Sequence, residues 1–488
     1  MAAEVKSKTA GMQLYEVDVG SDEFLREYST KKSKTKHIPE GVSSRGVYRD
    51  IVQIAWPTLI ELTLAQLTSM FDMMMVGNLG EAAISSVSLA TQPKFILNTI
   101  FMSMNVGATA LVARCKGARQ PERANHFVRQ ALMLNMLLAA ISMVVGLVWL
   151  EPLVGLMKPP SAASFQGGMD YLRIQIYGII PLALTFTITA LLRGVGNSKT
   201  AMKYNLVANA VNILGNYLLI EGRLGFPALG VVGASLATVI GQCVAFVIAM
   251  IVITKPGQYI RLQFTESFKP DFAAYREIAK IGIPAMVENV IMRVAIIIYT
   301  RTVTSLGETA YATHNVCMNI QALSFMTGQA FATSATSLMG QSLGRRRPDM
   351  GEIYAKYTRR MGLVVSLLLA LVFFFFGAPI IRLYTDSAAV VETGKYILMF
   401  VAFMQPFQSS QFIIAGGLRG AGDTRSIAII VTLTTLGVRT GFAVLAVNVF
   451  QWGLYGAWAA LVADQLLRSL LVLMRFNSGK WKTIKVKI

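Results

Sequence analysis

Apolar runs of roughly 20 residues recur along this 488-residue chain, each long enough to cross a bilayer core about 30 Å thick as a helix. In lipid the backbone must satisfy its own hydrogen bonds, so such runs are helical. Twelve are expected, near 51–75, 84–113, 131–150, 171–192, 201–220, 229–254, 278–304, 310–343, 361–384, 396–418, 427–447 and 453–474. The fold class that follows is an all-α membrane protein in the lipid bilayer. With 54% hydrophobic and only 15% charged residues, the chain does not read as a string of soluble domains.

The net charge of +19 is topological and does not signal a nucleic-acid partner. Arg114, Lys116, Arg119, Arg123 and Arg129 surround the loop after the second run, whereas the next loop carries only Lys158. Arg345, Arg346, Arg347, Lys356, Arg359 and Arg360 crowd the loop after the eighth run. Positive-inside bias places these loops and both termini in the cytoplasm, across the cell membrane. Residues 1–45 hold no apolar segment of the signal-peptide kind and are expected to form a flexible cytoplasmic tail, with 22–28 as its one candidate surface helix. Residues 477–488 form a basic cytoplasmic tail. Cys115, Cys243 and Cys317 are scattered without metal-ligand spacing and read as packing residues.

A shift of 227 residues superimposes the chain on itself. Ile54, Pro57 and Glu61 fall on Ile281, Pro284 and Glu288; Leu79, Gly80 and Glu81 on Leu306, Gly307 and Glu308; Gly117, Arg119 and Pro121 on Gly344, Arg346 and Pro348. With slips of a few residues, Pro181 matches Pro406, Arg193-Gly194 matches Arg419-Gly420, and Gly233-Ala234 matches Gly456-Ala457. Two parallel six-helix repeats follow, over 46–262 and 263–476, with substrate expected between them. The segment 194–200 has the wrong spacing for a phosphate-binding loop and recurs in the other half, so it is a turn. No nucleotide site or cofactor is expected, and an ion gradient is the energy source.

Charges inside a membrane are costly and mark sites. Glu61 and Glu288 occupy equivalent positions toward the cytoplasmic side, which suits a structural bridge. Asp72 lies about 22 Å beyond Pro57 along its helix, toward the outer side. Arg293, Arg439, Asp464 and Arg468 lie in the second half, where Arg293 and Arg439 are expected to find Asp464 or Glu288. His314 reads as a packed histidine. Gln321, Phe325, Gln329, Gln405 and Gln408 are the candidate substrate-cleft residues, polar or aromatic positions that lipid would not require.

Asn205, Asn209, Asn212 and Asn216 recur at i, i+4, i+7 and i+11, one face of a helix. Their counterparts are Val431, Thr435, Val438 and Phe442, and Asp72 has Tyr299. Acid and amides therefore occur together in one half only. They form the candidate cation-coupling site, which would bind a proton, or sodium where enough oxygens converge.

Pro57, Glu61, Asp72, Val76, Gly77, Leu79 and Gly80 together resemble the first helix of the multidrug and toxic compound extrusion (MATE) family. Arg193-Gly194-x-Gly196-Asn197, the 212–216 segment, the 230–238 segment and Arg419-Gly420-x-Gly422-Asp423 are similar to family patterns as well. The resemblance covers about residues 46–475, on the prokaryotic, DinF-like side of the family. It implies two six-helix lobes, an exporter rather than an enzyme, small organic cations as cargo, exchange for protons or sodium, and a monomer. It also adds Thr238 to the Asp72 site. Two departures stand out: the tenth run has Gln405, Gln408 and Gln411 where many members have an acid, and Asn216 stands where some have Asp. The alternative is a flippase for lipid-linked saccharides.

Overall fold

The structure is a computed structural model and describes residues 38–39, 42–157, 161–484 and 486. Most of the expected N-terminal tail, its 22–28 segment and Lys158 lie outside the described residues. The helices run α1 Ser44–Gly77, α2 Glu81–Gly117, α3 Pro121–Val148, a short α4 Leu150–Gly155, α5 Ala162–Tyr177, α6 Ile179–Gly194, α7 Ser198–Leu219 and α8 Gly230–Thr254. They continue with α9 Phe272–Thr304, α10 Glu308–Gly344, α11 Pro348–Arg382, α12 Ala388–Gly420, α13 Thr424–Asn448 and α14 Gly453–Asn477. Among the described residues there is no strand.

These helices fall at the twelve expected places, with α5 and α6 sharing the fourth. Among the described residues nine helices are long and apolar enough to cross a membrane, and the α5–α6 pair, bent by 53°, makes a tenth. The two that fall short are α7 and α10. Their polar content is the reason: α7 carries the asparagine stripe, and α10 carries Gln321, Ser324, Thr327, Gln329 and Thr333.

The duplication reaches into the backbone. Gly80 and Gly307 precede α2 and α10 with φ of 103° and 101°, and Arg119 and Arg346 both take left-handed φ, at 56° and 57°. Pro121 and Pro348 each open a helix, where a missing N–H removes no intrahelical bond. The proline pair of the fourth and tenth runs differs. Pro406 lies inside a continuous α12, whereas α5 and α6 break at Gly178, three residues before Pro181. A Cβ on Gly178 would sit 2.8 Å from Val239, so α8 packs onto the break itself.

The chain packs into two compact units. One holds Ile60–Gly282; the other runs from Ile283 onward and takes in the start of α1 through Leu59. Within the second unit, Ser334 Oγ donates to Ile51 O at 3.0 Å and Tyr354 Oη to Asp50 Oδ2 at 2.6 Å. The start of the basic tail folds there too, with Trp481 stacked on Phe476 and Lys482 on Glu352 at 3.0 Å. In the first unit α7 and α8 lie close, because Gly233 leaves room for Leu219 O, 2.4 Å from where a Cβ would be. Small residues allow such approaches between membrane helices. This closeness positions the site.

Candidate functional site

Asp72 lies five residues before the end of α1 and is partly buried. Asn216 of α7, fully buried, donates its Nδ2 to Asp72 Oδ1. Asn212 stands one helical turn earlier on the same face. With its amide oriented to satisfy both neighbours, Nδ2 donates to Asp72 Oδ1 at 3.0 Å and Oδ2 at 3.2 Å. Its Oδ1 then faces Thr238 Oγ1 of α8 at 3.2 Å. Asp72, Asn212, Asn216 and Thr238 are thus brought together from three helices.

The rest of the stripe divides. Asn205 donates to Glu61 Oε1 at 2.7 Å, nearer the other end of α1, and Asn209 lies between the two clusters. Glu61 Oε1 also takes Arg193 at 2.7 Å. Asn216 Oδ1 is buried with no hydrogen-bond donor, beside a carboxylate that already receives two amides. A buried acceptor left without a donor calls for an explanation, and a bound cation supplies one. The acceptors gathered here are carboxylate and amide oxygens, hard ligands of the kind that suit a proton or a hard cation.

Sequence reasoning missed Lys94. It projects from the middle of α2, where a scan for intramembrane bases would have found it, and its charge acts on Asp72. The sequence also did not assign Arg193 and Arg419 to the acids Glu61 and Glu288, although they stand 226 residues apart, as the acids stand 227 apart.

In the second unit Asp464 is fully buried and takes two arginines. Arg468 Nη2 reaches its two oxygens at 2.6 and 2.8 Å, and Arg439 Nη2 reaches Oδ2 at 3.0 Å. Arg468 also donates to Thr434 at 3.0 Å and Thr435 at 2.6 Å, both on a π-helical stretch, Leu433–Phe442, within α13. Glu288 goes instead to Arg419. Arg293, five residues beyond Glu288 on α9, is half-buried. At the position equivalent to Asp72, Tyr299 donates to Ala457 O at 2.9 Å and packs with His314, whose ring in turn meets Trp458.

The candidate cleft residues do not behave as one group. Gln405 and Gln408 are buried within the second unit, the first accepting from Ser324. Gln408 lines a small cavity with Ser324, Thr327, Ser366 and Phe412. Gln321 is buried as well, Gln329 is half-buried, and Phe325 is exposed, edge-on to Phe412 at 4.8 Å.

A duplicated six-helix membrane unit with buried ion pairs in both copies defines a polytopic transporter. The MatE family model matches residues 57–218 and 284–445, two segments whose starts and ends each stand 227 residues apart. The chain belongs to this family of multidrug-efflux transporters, which are not enzymes. It is 28% identical over 447 residues to a probable multidrug resistance protein NorM of Thermotoga maritima, covering 89% of this chain and 93% of that one. It is 25% identical to an uncharacterized transporter, YisQ, of Bacillus subtilis, over 88% and 94% of the two chains. An outward-facing multidrug resistance MATE transporter shares the fold at a TM-score of 0.83 and 22% identity, over 90% of this chain and 97% of that one. A transporter of the same superfamily from Pyrococcus furiosus, described as having a binding pocket of reverse polarity, matches at 0.84 and 21%, over 90% and 97%. The flippase alternative gains no support from these matches.

Proposed function

We propose that this chain is a monomeric, ion-driven antiporter that exports small, mainly cationic amphipathic compounds across the cytoplasmic membrane. Its coupling cation, a proton or sodium, binds at Asp72 with Asn212, Asn216 and Thr238. The observation that supports this most is the buried Asn216 Oδ1, an oxygen without a donor beside a carboxylate. Asn209, about two turns before Asn216 on the same face of α7, offers a further amide oxygen. Tyr299 replaces the acid in the second repeat, so one cation site per molecule follows.

Both termini lie in the cytoplasm on this reading, because the basic loops do. Liposomes with an imposed pH or sodium gradient test the proposal, with ethidium as the exported probe. Asp72→Asn keeps the shape of the side chain and removes its charge, so gradient-driven export should vanish while the protein stays folded. Export at the wild-type rate by that variant would end the assignment of Asp72.

A further inference from the structure

Lys94 is the one basic residue in α2 before Arg114. It stands thirteen residues after Glu81, roughly 20 Å along the helix axis. Helical side chains lean toward the N-terminus of their helix, which for α2 is the end that follows Asp72 in the chain. The ammonium therefore reaches back toward the carboxylate. The two charges act on each other without a hydrogen bond between them.

The ammonium is held elsewhere. Lys94 Nζ donates to Gln175 Oε1 of α5 at 2.7 Å. Gln175 Nε2 in turn donates to Ser235 Oγ of α8 at 3.1 Å, and Ser235 Oγ donates to Tyr171 O at 2.8 Å. Gln175 and Ser235 are buried. The repeat shows that this chain is no general scaffold. The counterparts of Asp72, Lys94, Gln175 and Ser235 are Tyr299, Gln321, Phe400 and Trp458. Acid, base and both relay residues occur together in the first half and are all absent from the second.

We propose that Lys94 is the positioned counter-charge of the Asp72 cation site, neutralising the carboxylate while no cation is bound, with Gln175 holding the ammonium back so that a cation can enter. This rests on the reading of Asp72 given above. In this role Lys94 acts as a charge alone and transfers no group. A bound cation then adds a second positive charge beside the first. Its affinity is set low enough by that repulsion for release on the other side of the membrane.

The experiment uses the full-length protein in lipid nanodiscs. The probes are radioactive sodium and a pH-indicator dye reporting proton uptake, and the relevant cation is whichever one Asp72→Asn ceases to bind. Lys94→Gln should tighten binding of that cation roughly tenfold, since a like charge is removed. Lys94→Arg should stay within about twofold of wild type, because the charge is kept. Gln175→Leu should weaken binding, because the freed ammonium can move onto Asp72. A merely structural Lys94–Gln175 bond would make both variants bind worse, so opposite signs support the proposal and equal signs overturn it. If Lys94→Gln does not fold, the opposite-sign comparison passes to Lys94→Met, and weakened binding there overturns the proposal equally. Loss of binding in Asp72→Asn with no change in the Lys94 variants overturns only the role of Lys94; unchanged binding in Asp72→Asn removes the site and this inference with it.

Discussion

Arg193 Nη2 lies 2.7 Å from Glu61 Oε1, and the repeat-equivalent Arg419 and Glu288 are paired in the same way in the second unit. In each repeat the acid comes from the first helix, α1 or α9. In each the arginine comes from the end of a helix that closes with the Arg-Gly-x-Gly turn. A pair kept in both copies of a duplicated fold, where only one copy has Asp72, belongs to the scaffold. It fastens the first helix of each unit to the helix before the turn.

The test is a double-mutant cycle in each unit. Glu61→Gln and Arg193→Met each leave one buried partner unpaired and are expected to cost up to about 3 kcal/mol. The double variant should cost less than the two singles together, with a coupling energy of matching sign for Glu288 and Arg419. Thermal unfolding of the purified protein provides the measurement. Additive losses in either unit would show that the pair does not act as a unit.

Asp464 is the more severe case, because two guanidinium groups converge on one buried carboxylate. Asp464→Asn takes from Arg439 and Arg468 the carboxylate they share, which is expected to cost about 3 to 5 kcal/mol. Less folded protein should therefore reach the membrane, as seen by fluorescence-detected size exclusion. Removing Arg439 alone leaves the Asp464–Arg468 pair intact and should be milder. A stable Asp464→Asn protein that fails only in transport would make this cluster part of the coupling machinery.

How much of this could be read from residues alone differs by level. The helices were legible because lipid imposes one length and one polarity, and the duplication because the gapless match from Ile54 to Pro121 is long. The Asp72 cluster was legible for a similar reason: four asparagines at helical spacing have few uses inside a membrane. Partner choice was legible only in part. Asp464 does hold Arg439, one of the two acids expected for it, whereas α9 presents the other, Glu288, to the end of α12, where Arg419 stands. Periodicity says which face a residue occupies and nothing of which helix faces it. The break at Gly178 was equally hidden, since Pro181 matches Pro406, which lies inside an unbroken α12, and the packing of Val239 against Gly178 involves a residue some sixty positions away.

Asp271 closes the linker before α9, outside the membrane-spanning segments, and offers a pH signature. Its Oδ2 lies 2.9 Å from His126 Nε2, and its Oδ1 accepts from the Ala273 N–H at 2.9 Å. The His126 bond foremost, and then the backbone donor, hold this carboxyl below its ordinary value. A carboxyl depressed by folding contributes stability that is present above the ordinary carboxylate range and is lost as pH falls through its folded value. The melting temperature of the wild type should therefore drop more steeply than that of Asp271→Asn on acidification below about pH 4. Parallel curves would mean that the contact adds nothing to stability, as many exposed pairs do not.

The membrane orientation rests on the alternation of basic loops, and Ser387 is the place to test it. This residue is exposed just ahead of α12, in the loop between α11 and α12 that lies at the opposite ends of the helices from the arginine-rich turn at 345–347. If the basic turns face the cytoplasm, Ser387 faces outward. A cysteine placed there reports the side through a membrane-impermeant maleimide. The native background is small, since Cys115 and Cys317 are buried and only Cys243 is exposed, so Cys243→Ser removes the main competitor. Ser387→Cys in that background should react in intact cells at the same rate as in permeabilised ones. A cysteine at Arg346, in the left-handed turn ahead of α11, should react only after permeabilisation. The reverse pattern would invert the molecule, and with it the side from which a cation reaches Asp72.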